Sequence, residues 1–219
     1  MHNTVQNLIE ITDEIKLNLR DSNIVNLPKI IAVSKTFKID KILPLIDYGH
    51  IDFGENKIQE AVDKWTEIKS KNKNIKLHMI GKLQTNKVKF AVKLFDYIHS
   101  VDSEKLAKKI ADEQKKIDKK IKIFIQVNIG NEEQKSGINK SDLGDLVSYC
   151  EKINLDVIGL MCIPPADEDP SIYFKEINSL NNSFDFTELS MGMSSDYLEA
   201  SKNFSSYLRI GSSIFGKRS

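Results

Sequence analysis

The stretch "IKIFIQVN" at residues 121–128 decides the fold class. Ile123, Phe124 and Ile125 run together, and with Lys122 and Gln126 the only interruptions before Asn128, both faces of the strand carry apolar side chains. A half-exposed strand alternates, whereas a strand covered on both faces reads as a continuous apolar run. Both faces of a strand are covered when helices flank a parallel sheet, so the sequence on either side should be helical. Upstream, Leu106, Ile110 and Ile117 set a helical spacing within the lysine-rich run "KLAKKIADEQKKIDKKIK". Downstream, Leu143, Leu146, Val147 and Cys150 do the same. The charge of the lysine run is most simply the solvated face of its helix.

The same unit repeats outward in both directions. The strands "LPKIIAVSK" (27–35), "IDFGEN" (51–56), "IKLHMIG" (75–81) and "YIHSVDS" (97–103) precede residue 121. The strands "LDVIGLMCI" (155–163), "TELSMGMS" (187–194) and "YLRIGSSIFG" (207–216) follow. Helices are predicted between them, including "KILPLIDY" (41–48) with Asp40 as its cap and Gly49 as its stop, and one beginning at Ser195. A leading helix over 4–20 places Leu8, Ile11, Ile15 and Leu19 on one face. Eight strands, each but the last followed by a helix, predict a single (β/α)8 TIM barrel with an extra N-terminal helix, one domain over 1–219. An open doubly wound sheet is the rival. It usually carries a glycine-rich first turn, and "TFKID" (36–40) has no glycine.

Composition narrows the class. Of 219 residues 40% are hydrophobic and 29% charged, enough for a core and against wholesale disorder. Lys+Arg 32 against Asp+Glu 31 leaves a formal charge of +1, so no global field attracts nucleic acid or an anionic membrane. Cys150 and Cys162 have neither metal spacing nor a disulfide framework, which makes a reducing compartment the default. The acidic, amide-rich N-terminus does not read as a signal peptide, and no apolar run reaches membrane length. A cytoplasmic protein without a resident metal is the expectation.

In a barrel, chemistry gathers at the C-terminal ends of the strands. Those ends are Lys35, Glu55 and Asn56, Gly81, Ser100 and Asp102, Asn128, Ile163, Ser190–Ser194 and Arg209–Ser212. The loops after strands seven and eight are where such folds often build a phosphate site. "SMGMSSD" offers hydroxyls and a glycine before a helix, and "RIGSS" offers backbone N–H groups around Gly211. Each segment alone reads more simply as a turn glycine, with Ser194 capping its helix. The pair, at the two expected strands, points to a phosphate cup. Lys35 ends strand one, and an amine walled by a barrel mouth loses its proton more readily than in water and can attack a carbonyl. Lysine plus phosphate cup suggests a phosphorylated aldehyde, and pyridoxal 5′-phosphate is the commonest such cofactor.

Arginine is scarce: only Arg20, Arg209 and Arg218 among the basic residues. With the phosphate on Gly211 and Ser212, Arg209 can face the pyridine nitrogen. It can only donate there, so the nitrogen stays unprotonated and the ring is a weak electron sink. A structural ion pair at the barrel end is the other reading of Arg209.

These residues sit in segments that resemble the YggS/PROSC family of pyridoxal phosphate homeostasis proteins, whose barrel is similar to the N-terminal domain of bacterial alanine racemase. The segments are "AVSKTF" (32–37), "FGENKIQE" (53–60), "HMIGKLQTNK" (78–87), "QVNIGNEEQKSG" (126–137), "GLMCIP" (159–164), "LSMGMSSDYLEA" (189–200) and "RIGSSIFGKR" (209–218). The resemblance implies that Lys35 carries the cofactor as a Schiff base. It also implies that Ser190, Ser194, Gly211 and Ser212 hold the phosphate, that Arg209 faces the pyridine nitrogen, and that Asn56 lines the site. Lys82, where the family usually has proline, and Gly130, where a small polar residue is common, depart from the pattern.

Two functions follow. One is a carrier that takes part in intracellular pyridoxal phosphate homeostasis, with apo-forms of enzymes using that cofactor as the expected recipients and a monomer as the expected state. The other is a racemase-like enzyme. A racemase needs a second acid–base group, which alanine racemase takes from a tyrosine of a further domain, and here only "KRS" follows strand eight. The carrier is therefore expected, with no catalytic residue of its own. A barrel enzyme that binds a sugar phosphate without a covalent lysine shares the cup but has no need of Arg209.

Overall fold

The computed structural model describes residues 1–132 and 136–216. Among them, eight parallel strands close into a barrel in sequence order: β1 (Lys29–Val33), β2 (Asp52–Glu55), β3 (Lys76–Met79), β4 (Tyr97–Val101), β5 (Lys122–Val127), β6 (Asp156–Cys162), β7 (Glu188–Met193) and β8 (Tyr207–Ile210). The ring closes where Ile31 pairs with Arg209 and Ala32 with Ile210. The strands are buried almost throughout; β4 is buried at every position and β5 at every position after its first. The (β/α)8 barrel expected from the apolar runs is the fold observed.

The helices are α1 (Asn3–Leu19), α2 (Ile39–Asp47), α3 (Ile58–Lys71), α4 (Val88–Leu94), α5 (Glu104–Lys115), α6 (Leu143–Lys152), α7 (Pro170–Ser183), α8 (Tyr197–Lys202) and α9 (Ser212–Phe215). Each lays an apolar stripe on the outside of the barrel. In α3 that stripe is Ile58, Ala61 and Trp65, whose spacing of three and four matches the helical period. The predicted leading helix is α1, with Leu8, Ile11, Ile15 and Leu19 buried. Its polar positions tie it to the end of the chain: Asn7 donates to the Ile214 carbonyl and Asn18 to that of Leu198.

Two predicted elements change. The run 207–216 is not one strand. It stops at Ile210, and the amides of Ile214 and Phe215 both donate to the Gly211 carbonyl, which closes one helical turn. Ile214 and Phe215 are buried by that turn, so their apolar character served a helix and not a ladder. Asp40 sits in the first turn of α2 instead of capping it; the cap position is Lys38. Residues 133–135 and 217–219, with Lys135 of "QVNIGNEEQKSG", Arg218 and the "KRS" ending, lie outside the described residues.

The barrel interior is unusual in its chemistry. Such interiors are dominated by branched aliphatic side chains. Here Ile31, Val33 and Met161 share the space with Tyr97, Phe124 and Tyr207. His78, His99, Ser190 and Arg209 are buried there as well. Register shifts in the β4–β5, β5–β6 and β7–β8 pairings re-aim side chains locally.

Candidate functional site

A cleft of about 430 Å³ opens at the C-terminal ends of the strands. It is lined by Lys35, Asn56, Ser194, Arg209, Gly211 and Ser212, with Val33, Ile80, Ile163 and Met193 as its apolar wall. Six of the seven residues singled out from the sequence therefore meet in one place, although they come from positions 35 to 212 of the chain.

Lys35 is half-buried, two residues past β1, and both of its neighbours are pinned. The Ser34 amide donates to the Gly54 carbonyl, the Ser34 carbonyl accepts from Lys64 Nζ at 2.8 Å, and the Ser34 hydroxyl donates to Glu55 Oε1 at 2.7 Å. Thr36 has a φ of 69°, a left-handed backbone that a β-branched residue rarely adopts. Its amide donates to the Glu60 carboxylate, which holds it there. Lys64 also bonds Glu55 and Glu60, each at 2.9 Å. Burial by itself would raise the Glu60 carboxyl, but Lys64 and the Thr36 amide outweigh it and keep it below its ordinary value. The "FGENKIQE" segment thus supplies a buried ionic clamp behind the lysine.

Asn56 is placed by Gly81. A β-carbon on Gly81 would lie 2.4 Å from the Asn56 carbonyl oxygen and 2.7 Å from its Cα, so only glycine lets the two backbones pass. Asn56 Oδ1 is buried without a hydrogen-bond partner among the described residues. A buried amide oxygen left unpaired is costly and marks a place where a donor is missing.

Ser194 joins the last two strands. Its hydroxyl oxygen accepts from the amides of Gly211 at 3.3 Å and Ser213 at 3.4 Å. Two backbone N–H groups converging on one oxygen make an anion cup. Gly211 has a φ of −115°, and a β-carbon there would meet Val33 no closer than 3.5 Å. The fold itself does not demand glycine at that point. Gly192 is different: its φ is 88°, and a β-carbon would lie 2.5 Å from that of Ala200, so it serves the packing of α8.

The expected phosphate contact of Ser190 is not what the structure places. Ser190 is fully buried on the interior face of β7, and its hydroxyl accepts from Arg209 NH1 at 2.7 Å and lies 2.8 Å from His99 Nδ1. The pleat turns it into the barrel, while Ser194, past the strand end, reaches the cleft. Arg209 NH2 donates to the Cys162 carbonyl at 2.8 Å. Among the described residues no carboxylate pairs with Arg209, which removes the ion-pair reading; burial pulls its pKa below the ordinary value. Burial pushes both thiols, Cys150 and Cys162, up to about 12, so neither is a nucleophile at neutral pH.

Residues 12–219 match the family described as alanine racemase, N-terminal domain. The chain is 35% identical over 204 residues to the pyridoxal phosphate homeostasis protein of Haemophilus influenzae, covering 88% of this chain and 86% of that one. It is 31% identical over 231 residues to the Escherichia coli K12 protein of the same name, covering 100% and 98%. The chain belongs to the pyridoxal phosphate homeostasis protein family. Among solved structures, PipY of Synechococcus elongatus, determined with PLP bound, superimposes with a TM-score of 0.81 at 30% identity, over 92% of this chain and all of that one. Both departures from the usual family pattern lie outside the cleft lining. Lys82 is exposed, and Gly130 sits where a β-carbon would lie 2.6 Å from Pro165 Cγ. No helix among the described residues is long and apolar enough to cross a membrane.

Sequence reasoning missed the supports of this family site. Glu60 and Lys64 stand at i and i+4 on α3, which signals an exposed pair and not a clamp on a loop 24 residues earlier. His78 sits between Leu77 and Met79 in its strand, and His99 between Ile98 and Ser100; that polar break was the available signal.

Proposed function

We propose that this chain binds pyridoxal 5′-phosphate in the strand-end cleft through Lys35, and that it holds and releases the cofactor for the cell's supply without turning over an amino acid. The observation that carries this is the meeting of one lysine, one anion cup and one arginine in a single cleft. The residues fit the group. Asn56 offers a buried, unpaired acceptor. Ser194, Gly211 and Ser212 surround the converging amides that suit a phosphate. Arg209 lies at the cleft wall, where a ring nitrogen would meet a donor.

When bound, the cofactor supplies an electrophilic aldehyde that condenses reversibly with an amine. Lys35 is the amine; the Ser34 and Thr36 bonds fix its direction. Arg209 keeps the ring nitrogen an acceptor, which works against carbanion chemistry and favours carriage over turnover. A monomer is the expected working unit. The expected recipients are apo-forms of enzymes that use the same cofactor.

The test is direct. Purified protein mixed with pyridoxal phosphate should turn yellow, and borohydride followed by peptide mass analysis should find the adduct on Lys35. Lys35→Ala should lose the visible band. Addition of a cofactor-free pyridoxal phosphate enzyme should draw the cofactor across, and L-alanine should not racemise. A wild type that stays colourless refutes binding. Turnover of an amino acid that disappears in Lys35→Ala replaces the carrier with an enzyme.

A further inference from the structure

The barrel interior holds a line of polar side chains that the cleft alone does not require. Asp52 Oδ1 lies 2.9 Å from His78 Nε2. His78 Nδ1 lies 3.0 Å from His99 Nε2, and His99 Nδ1 lies 2.8 Å from Ser190 Oγ. Ser190 Oγ in turn accepts from Arg209 at 2.7 Å. Both imidazoles are fully buried. His78 is stacked on Tyr97 with centroids 4.2 Å apart, and His99 on Phe124 at 4.3 Å, so neither ring plane is free to turn.

Partner chemistry assigns the protons. The Asp52 carboxylate only accepts, so His78 Nε2 carries a hydrogen. Burial pushes both imidazoles below their ordinary value, which keeps them neutral. His78 Nδ1 is then an acceptor, and His99 Nε2 must donate to it. That leaves His99 Nδ1 as an acceptor, and the Ser190 hydroxyl donates to it while its oxygen receives the Arg209 hydrogen. All four links point the same way. They run from Arg209 at the cleft to Asp52, the first residue of β2, at the opposite end of the barrel. Each neutral unit turns its negative end to the guanidinium and its positive end to the carboxylate, and such chains polarise one another.

We propose that His78 and His99 are positioning residues that hold Arg209 toward the cleft through a one-way hydrogen-bond chain anchored on Asp52. The ligand-facing consequence rests on the reading of the cleft given above: Arg209 meets the ring nitrogen of a phosphorylated pyridine. The chain itself exists without a ligand. The direction of its links, and so the donor that Arg209 presents, is set by a carboxylate that touches neither the lysine nor the anion cup.

The test begins on the cofactor-free, full-length protein. The sequence has four histidines, so nitrogen–proton correlation spectra of the rings are assigned by replacing them one at a time. His78 and His99 should each carry hydrogen on Nε2 and none on Nδ1, and the Arg209 side-chain resonance should be sharp. His99→Phe keeps the ring stack and cuts the chain; it should broaden the Arg209 resonance. His99→Gln offers one donor and one acceptor and should restore it. With pyridoxal phosphate as probe, His99→Phe should bind about tenfold more weakly with a shifted visible band, and His99→Gln should resemble wild type. Hydrogen on His99 Nδ1 in the wild type overturns the chain, with no variant needed. An Arg209 resonance unmoved in His99→Phe overturns it equally. If wild type takes up no cofactor, the functional reading falls, while ring tautomers and the Arg209 resonance still decide this proposal.

Discussion

Mild acid, from pH 7.5 to 5.5, is expected to weaken the fold through its buried histidines. His99 is buried inside the barrel with its pKa driven well below 6.5, by desolvation first and then by His78 and Arg209. His78 is lowered too, mainly by desolvation, against the raising effect of Asp52. In the unfolded chain both rings return to ordinary behaviour. An unfolded imidazole is about one-tenth protonated at pH 7.5 and about nine-tenths at pH 5.5. The unfolded state therefore binds the extra protons, and stability falls as pH falls. For a folded ring that stays neutral the loss over that interval is about 1.4 kcal/mol, so His99 contributes about that much and His78 at most the same. His50, also lowered by burial, acts in the same direction. Glu60, held below 4.5, keeps its charge through the interval. Lys119, brought down to about 8 by desolvation, is largely protonated on both sides of it. The assay is urea unfolding at a series of pH values, read by Trp65, which is fully buried and donates to Glu55. His99→Gln should remove about 1.4 kcal/mol of the pH-dependent loss and leave the rest. A stability that is flat or rises from pH 7.5 to 5.5, or a His99→Gln protein that keeps the full wild-type loss, refutes the reasoning.

Gly81→Ala should push Asn56 out of place, because the new carbon lies 2.4 Å from its carbonyl oxygen; equilibrium dialysis should show cofactor binding weakened by about tenfold, with a stability cost of about 1–3 kcal/mol. Glu60→Ala should release the Thr36 amide, seen as faster hydrogen exchange at that residue and a loss of about 1 kcal/mol. Since the Glu60 carboxyl is held low, its contribution is complete above pH 4.5 and disappears as pH falls further. Lys119, whose amine is held at about 8, should be trapped by borohydride as a second adduct at excess pyridoxal phosphate; a Lys119→Arg protein should lose that adduct and keep the one on Lys35.

The strand residues that carry the barrel were legible because burial on both faces leaves continuous apolar runs such as Ile30–Val33. The cleft residues were legible because they terminate those runs. What sequence did not show was direction. Ser190 and Ser194 lie four apart in one segment, but the first sits within β7 and faces into the barrel, while the second lies past the strand end at the cup. Residues 212–215 looked like strand because Ile214 and Phe215 are apolar, yet a single turn buries them just as well. The interior histidines were hidden by their neighbours. In "HMIG" and "YIHSV" a single imidazole carries no period of its own, and its partner lies 21 residues away.

The position of the arginine follows from the same interior. A buried cation with no carboxylate beside it must be met by other means, since burying an uncompensated charge is costly. Lysine offers a compact, heavily hydrated charge and gives up its proton readily when buried. Guanidinium stays charged and spreads its donors over a rigid plane. One donor reaches Ser190, another reaches the Cys162 carbonyl, and the group still lines the cleft. Three acceptor–donor units then carry its influence to the carboxylate of Asp52 without bringing that carboxylate to the mouth. An acid placed directly beside Arg209 would neutralise it at the wall where we propose that a ring nitrogen meets its donor, and would crowd the anion cup with negative charge. Distance through oriented neutral groups keeps the arginine compensated and the cleft positive, which suits the phosphorylated, nitrogen-bearing ring proposed for that wall.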